Sequence, residues 1–227
     1  MKTNHIVLLL GVVLLGASCS TTRVVRPLAE KETQVGVSAG GPVVAFKLDA
    51  NRSEVLVPFI SLQGAYGVSD RLSVYGAWDV TPIFIRTLHL DLGATYGLRM
   101  PEGNQLGVSA SGGMQSFVSF LSGATKFMPE ASLNVYQQFT DKLYWYGSSG
   151  HTFDLAANQS VALNTGFWRP WVGVGLGLDG RKFHHQWEAK YLGFNEGNRD
   201  AIIAHIGVAG QGQWAFYYTI NFKAFQK

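Results

Sequence analysis

The chain has a single cysteine, Cys19, in 227 residues, so no disulfide can form within it. Charge is scarce too. Asp, Glu, Lys and Arg together make up 15% of the residues, where about 25% is ordinary for a soluble domain. The formal net charge of +3 is too small an excess to indicate a nucleic-acid partner. Long apolar runs are missing as well: the N-terminal run Ile6–Leu15 is broken by Gly11, and a membrane-spanning helix needs roughly 20 apolar residues. Nothing after Cys19 approaches that length, and no long segment carries apolar residues at helical spacing. These absences exclude a disulfide-stapled scaffold and a helical membrane protein, and a surface with so few charges points to a covering other than water.

The N-terminus has the layout of an export signal, with Lys2 as its positive end and Ile6–Leu15 as its apolar centre. Leu15-Gly16-Ala17-Ser18-Cys19-Ser20 resembles the lipobox at which lipoprotein signal peptidase cuts before an acylated cysteine, with Leu one step further from the cysteine than usual. The resemblance implies residues 1–18 as signal peptide and Cys19 as the lipidation site. Ser rather than Asp at position 20 implies release toward the outer membrane by the lipoprotein-sorting machinery. Residues 19–32 read as a lipidated polar tether, and residues 33–227 as one domain.

Within that domain alternation dominates. From Leu88 to Arg99, Leu88, Leu90, Leu92, Ala94, Tyr96 and Leu98 share one face, and His89, Asp91, Gly93, Thr95, Gly97 and Arg99 share the other. Period two predicts a strand. The pattern recurs around Leu56–Gln63, at Gln105–Ser111 and in the final aromatic strand, where Trp214, Phe216, Tyr218, Ile220 and Phe222 oppose Thr219, Asn221 and Lys223. Tight polar turns fall at Val68–Arg71, Pro101–Asn104, Thr140–Lys142 and Asp179–Arg181, with longer connections near residues 47–54, 79–86, 119–127, 155–162 and 195–200. The result is an all-β antiparallel up-and-down barrel of about ten strands. Eight or twelve stay open, because Ala201–Phe222 is long for one strand and Gly210-Gln211-Gly212 bulges or splits it.

Alternation does not say which face points outward, since a soluble lipocalin-like binding barrel also alternates, with its apolar face inside. The composition of the polar face decides. A water-facing surface carries charge at roughly 25–35% of positions, whereas here that face is largely Gly, Ser, Thr, Asn and Gln, as in Gly107-Ser109-Ser111-Gly113-Gln115. Small uncharged residues suit a crowded barrel interior, and the apolar face is then left for lipid. Tyr66, Tyr75, Tyr96, Tyr136, Phe139, Tyr144, Trp145 and Tyr146 flank the tight turns and read as an interfacial aromatic girdle.

On these residues the chain from Gln34 onward resembles the small outer-membrane β-barrel proteins of bacteria. The turn entries Tyr66-Gly67-Val68-Ser69-Asp70-Arg71-Leu72 and Tyr96-Gly97-Leu98-Arg99 carry the resemblance, with a final strand ending near Phe222 or Phe225, although Gln226 and Lys227 follow it. It implies a bacterial outer-membrane location, membrane lipids and the barrel-assembly machinery as partners, and a C-terminal strand of the kind that machinery recognises.

No catalytic, cofactor or metal set is legible. Ser148-Ser149-Gly150-His151 is the best local nucleophile and base, but neighbours on a strand face opposite ways and no third partner is evident. His184 and His185 are adjacent and likewise diverge, which disfavours joint chelation. Gly173-Val174-Gly175-Leu176-Gly177 precedes a turn rather than a helix and is not a phosphate loop. Parity places His184, Gln186, Glu188 and Lys190 in the lumen, with His89, Asp91, Arg99, Arg169 and His205 as further candidates. Enclosed charges of both signs are expected to pair. The expected function is non-enzymatic, with a structural, surface-interaction or accessory role for a plugged barrel; a narrow channel for ions or small solutes is the alternative.

Overall fold

The fold is seen in a computed structural model that describes residues 21, 23–48, 51–56, 59–121, 123–155, 167–197, 203–205 and 207–225. The strands in chain order are β1 (Thr33–Leu48), β2 (Asn51–Leu56), β3 (Phe59–Ser69), β4 (Leu72–Asp79), β5 (Thr87–Arg99), β6 (Leu106–Ser119), β7 (Thr125–Gln138), β8 (Leu143–Phe153), β9 (Trp168–Asp179), β10 (Phe183–Gly197), β11 (Ile203–His205) and β12 (Gln211–Phe225). Ten of them close into an antiparallel barrel. Successive neighbours pair from β3 to β10, β10 pairs with β12, and β1 joins the ends by pairing with β12 on one edge and β3 on the other. At the seam Val37 lies opposite Ile220 on one side and Leu62 on the other. Closure leaves the barrel wall no free edge, the condition for a sheet to sit in lipid.

The tight turns join β3 to β4, β5 to β6, β7 to β8 and β9 to β10, and both β1 and β12 have their outer termini at this end. The other end carries the longer connections. There β1 continues past the barrel, its Val43–Leu48 half pairing with β2 and its Val44–Phe46 stretch with β11. The long C-terminal segment is therefore split. Ala209 and Gly210 between β11 and β12, and Gly212 at the start of β12, adopt positive φ, a conformation that breaks an extended run.

Alternation sorts the side chains as period two requires. On β5, Leu90, Leu92, Tyr96 and Leu98 are exposed on the outside, Leu92 at 64%, while His89, Asp91 and Thr95 are buried. On β12, Trp214, Phe216, Tyr218 and Phe222 face outward, and Gln213, Thr219 and Asn221 inward. A soluble lipocalin-like barrel has the reverse arrangement, so that alternative is corrected here. An apolar band around the whole wall is stable only against hydrocarbon.

The expected aromatic girdle is only half on the outside. Tyr66, Tyr96 and Phe139 are exposed, but Tyr136, Tyr144 and Tyr146 are buried in the lumen, and Tyr75 shares the inward parity of Ser73 and Ala77. Glycines on adjoining strands make room for them. A β-carbon on Gly175 would lie 2.2 Å from the Tyr146 ring, one on Gly177 2.1 Å from Tyr144, one on Gly107 2.4 Å from Tyr136 and one on Gly93 2.4 Å from the Tyr75 hydroxyl. Gly175 and Gly177 of the glycine-rich β9 are the sockets for Tyr146 and Tyr144.

Candidate functional site

The lumen holds more than strand side chains. The segment before β1, read from sequence as a tether, lies inside the barrel over its described residues: Thr21, Arg23, Val24, Val25 and Leu28 are all buried. At the tight-turn end Lys31 N donates to Gly67 O (2.8 Å) and Gly67 N to Glu32 O (2.9 Å), while Glu30 N caps on Asp70. Further in, Leu28 N donates to Ser73 Oγ at 2.8 Å, Ser109 Oγ to Val25 O at 2.5 Å and Thr95 Oγ1 to Val24 O at 2.8 Å. Backbone groups of a non-helical segment need such partners once removed from water, and the inward Ser and Thr of the wall supply them. Val25 packs among Tyr136, Tyr144 and Tyr146. Cys19 and residues 1–18, expected from sequence to be a signal peptide, lie outside the described residues.

Two arginines fix the segment. Arg23 Nε donates to Asp91 at 3.0 Å, and its terminal nitrogens reach Asp79 at 3.5 Å, Ser61 and Thr21 at 2.9 Å and Gln63 at 3.0 Å. Asp79 also pairs with His89, whose ring stacks on Phe117 with centroids 3.9 Å apart. Nearer the tight turns Arg26 bonds Asp179 at 2.6 Å and Gln138 at 3.0 Å and lies over the Tyr144 ring. Asp179 is further shared with His184 at 3.1 Å and Lys223 at 3.0 Å. Each carboxylate thus has a cation, as enclosed charge requires.

The predicted lumen residues fall into separate groups rather than one cluster. His184 belongs to the Asp179 group, with Tyr144 at 3.3 Å from its Nε2. His89 and Asp91 belong to the Arg23 group. Glu188 and Lys190 sit on the opposite wall 3.4 Å apart, with the Lys190 ammonium 4.1 Å from the Trp171 ring centroid. Gln186 donates to the Tyr146 hydroxyl. Arg169 lies at the long-loop end, clamped by both carboxylate oxygens of Glu196 at 2.8–3.0 Å. Arg99 is corrected: a register shift after Gly97 turns it out at the tight-turn end, where it reaches Gln105. His205 is placed only by backbone pairing, opposite Val44.

The nucleophile reading finds no geometry. Ser148 Oγ points inward and donates to Asn134 Oδ1 at 2.7 Å, whereas His151 is outside and accepts from Trp168 Nε1. His185, outside, contacts the Tyr218 hydroxyl at 2.8 Å, so the two adjacent histidines diverge as alternation requires. The Asp79–His89 pair resembles a base and its orienting carboxylate, but His89 Nε2 is buried with no hydrogen-bond partner. Among the described residues no His, Cys, Asp and Glu group could hold a metal ion.

Sequence reasoning missed Arg23, Arg26 and Asp79. The available signal was an imbalance: Asp91 is inward by parity with no Lys or Arg at matching positions on its neighbouring strands, and two arginines precede the first strand. Beside the threaded segment, toward the tight-turn end, a cavity of about 320 Å³ remains, bordered by Arg26, Glu32, His184, Asn221 and Lys223.

No protein-family model matches the chain, and no curated protein matches it. Solved structures do. The translocator domain of the autotransporter NalP from Neisseria meningitidis superposes with a TM-score of 0.50 at 10% identity, covering 95% of this chain and 93% of its own. An outer-membrane channel from Pseudomonas putida F1 gives 0.45 at 10% identity, with 89% and 98% covered. The outer-membrane protease OmpT from Escherichia coli gives 0.38 at 10% identity, with 84% and 93% covered. At such identity the likeness is one of fold. The fold is a closed β-barrel like that of the NalP translocator domain, with Thr21 and Arg23–Leu28 held in its lumen.

Proposed function

We propose that this protein is a non-enzymatic outer-membrane lipoprotein, anchored at Cys19, whose barrel is kept closed by its own N-terminal segment and serves a structural, surface-interaction or accessory role. The observation that carries the closed state is Arg23, buried in the lumen between Asp79 and Asp91 with all its nitrogens engaged. A buried ion pair of this kind is costly to break one-sidedly, so the segment is a seated part of the barrel rather than a passing tether. Outer-membrane lipids, the barrel-assembly machinery and the lipoprotein-sorting machinery are the partners this reading requires. The test is electrical. Purified protein in a planar bilayer is expected to be silent, and deletion of residues 21–28 is expected to produce steady conductance from a barrel that still shows heat-modifiable migration. A conducting full-length protein would refute closure.

The second reading, a narrow channel for ions or small solutes, is favoured by the 320 Å³ cavity at the tight-turn mouth and by the mixed charge along the wall. Under it the full-length protein conducts, and Glu188→Gln or Lys190→Gln alters its ion selectivity.

A further inference from the structure

The Arg23 guanidinium is seated in a receptor that the barrel wall supplies. Of the five side chains it bonds, only Thr21 belongs to its own segment. The other four point inward from three adjacent strands. Ser61 and Gln63 of β3 meet one terminal nitrogen at 2.9 and 3.0 Å, Asp79 of β4 reaches the other at 3.5 Å, and Asp91 of β5 takes Nε at 3.0 Å. All three nitrogens of one planar group are met by the wall. Such an arrangement fits the rigid fork of a guanidinium, not the compact point charge of an ammonium. A metal ion is a poor match as well, since among the described residues no His, Cys, Asp and Glu group could hold one.

The wall residues are oriented by contacts that do not involve Arg23. Gln63 Nε2 donates to Asn221 Oδ1 at 2.7 Å, which leaves the Gln63 carbonyl for the guanidinium. Asp79 pairs with His89, and the His89 ring is held in turn by stacking on Phe117. The receptor therefore keeps its shape when Arg23 is withdrawn, and it keeps an appetite for a cation. Glu130 borders the same small space beside Arg23 as Asp91 does. Its carboxylate accepts from Gln115 at 3.1 Å and Thr152 at 3.0 Å. With Arg23 gone, neither Asp91 nor Glu130 has a cation at salt-bridge distance among the described residues. Carboxylates left in that state inside a narrow lumen favour any cation that fits between them.

The site also has an approach. The cavity of about 320 Å³ borders Glu32 and Asp70 at the tight-turn end and extends along the segment to Arg23 itself. It is many times larger than the roughly 10–15 Å³ that one water needs, so it admits a small solute. We propose that the Arg23 site is a receptor for small guanidinium-bearing solutes, with Arg23 as its internal occupant, and that a solute arriving through this cavity displaces Arg23 and releases the segment. The solute binds the wall only where Arg23 has left, so its binding draws the equilibrium toward the released state. Release rests on the closed-barrel reading given above; the receptor does not.

The test begins with the full-length Arg23→Ala variant, folded in detergent, into which ethylguanidinium chloride is titrated by calorimetry, with ethylammonium chloride at matched ionic strength as the comparison. Ethylguanidinium is expected to bind at least tenfold tighter than ethylammonium, and at least tenfold more weakly once Asp91→Asn is added. Equal binding of the two cations, or no binding to a variant that still shows heat-modifiable migration, overturns the receptor. The second measurement uses the unmodified protein. Ethylguanidinium at a concentration that saturates the variant is expected to raise elastase cleavage after Val24 and Val25 at least threefold over ethylammonium. Binding to the variant without release in the unmodified protein overturns displacement and leaves Arg23 a structural residue only. Should Arg23→Ala fail to fold, the cleavage assay, run as a titration of both cations, decides alone. Neither measurement uses conductance, so a full-length protein that conducts refutes closure while the receptor is judged separately.

Discussion

Among the described residues, replacing Arg23 with alanine removes the cation that pairs with Asp91. Asp79 retains His89, but the Asp91 side chain, 8% exposed and 3.0 Å from Arg23 Nε, is left without a counter-charge as long as the segment stays seated. Leaving one member of a buried pair alone costs about 3–5 kcal/mol. That cost falls on the closed state only, because in the open barrel Asp91 faces water. At about 1.4 kcal/mol per factor of ten, the open-to-closed ratio rises by roughly two to three and a half orders of magnitude. The assay is open probability in planar bilayers, read beside deletion of residues 21–28 as the fully open reference. Adding Asp91→Asn to Arg23→Ala removes the orphaned charge, and openings are expected to fall at least tenfold relative to the single variant. If Arg23→Ala is as silent as the parent while the deletion conducts, the ion pairs do not hold the segment and the reasoning fails.

Leu92→Arg places a cation near the middle of the outward face of β5 and is expected to destabilise the barrel by about 2–4 kcal/mol when refolded in lipid vesicles, measured by urea titration; a neutral result would contradict the membrane-facing assignment. Gly175→Val drives a side chain into the Tyr146 ring and should cost about 1–3 kcal/mol, with Tyr146→Ala in the same chain recovering part of the loss. Asp179→Asn leaves Arg26, His184 and Lys223 without their shared carboxylate at the tight-turn end, and is expected to increase proteolysis of the N-terminal segment in detergent-solubilised protein, detected by mass spectrometry of the fragments.

Much of the wall was legible because one periodicity governs it. The turns at Asp70, Glu102, Asp141 and Gly180 alternate with longer connections, and that rhythm implies a meander of about ten strands, with eight or twelve left open by the long C-terminal segment. The side assignment was legible from chemistry, since a face of Gly, Ser, Thr and Gln could not be the solvated surface of a soluble domain. Tyr136, Tyr144 and Tyr146 show where such reasoning ends. An aromatic near a turn is equally at home in an interface or in a lumen, and only strand register, which puts Gly175 beside Tyr146 and Gly177 beside Tyr144, makes the inward position available. The threaded segment was least legible. Residues 21–32 have no alternation, because they make no ladder, and their partners lie up to 153 residues away in the case of Arg26 and Asp179.

The choice of ionic rather than wholly apolar contacts for this segment has a consequence for how firmly it is seated. An apolar plug loses its full burial energy when water enters, roughly 1.5–3 kcal/mol for each large aliphatic side chain. For Arg23 and Asp91 the attraction in the closed lumen is set against the hydration both recover on opening, and these terms nearly cancel when both partners are released together. What the pair strongly disfavours is partial withdrawal, in which Asp91 has lost its cation but not yet gained water. Val25, buried among three tyrosines, adds a modest apolar grip at the level below. The segment is therefore built to be fully in or fully out. The wall does not depend on it: Ser148 bonds Asn134, Asn134 bonds Ser109 and Ser111, and the tyrosines seat in glycines of their own neighbours. A barrel whose internal polar groups are largely satisfied across strands can lose its plug without collapsing, and for that reason the deletion of residues 21–28 is expected to leave a folded, conducting wall.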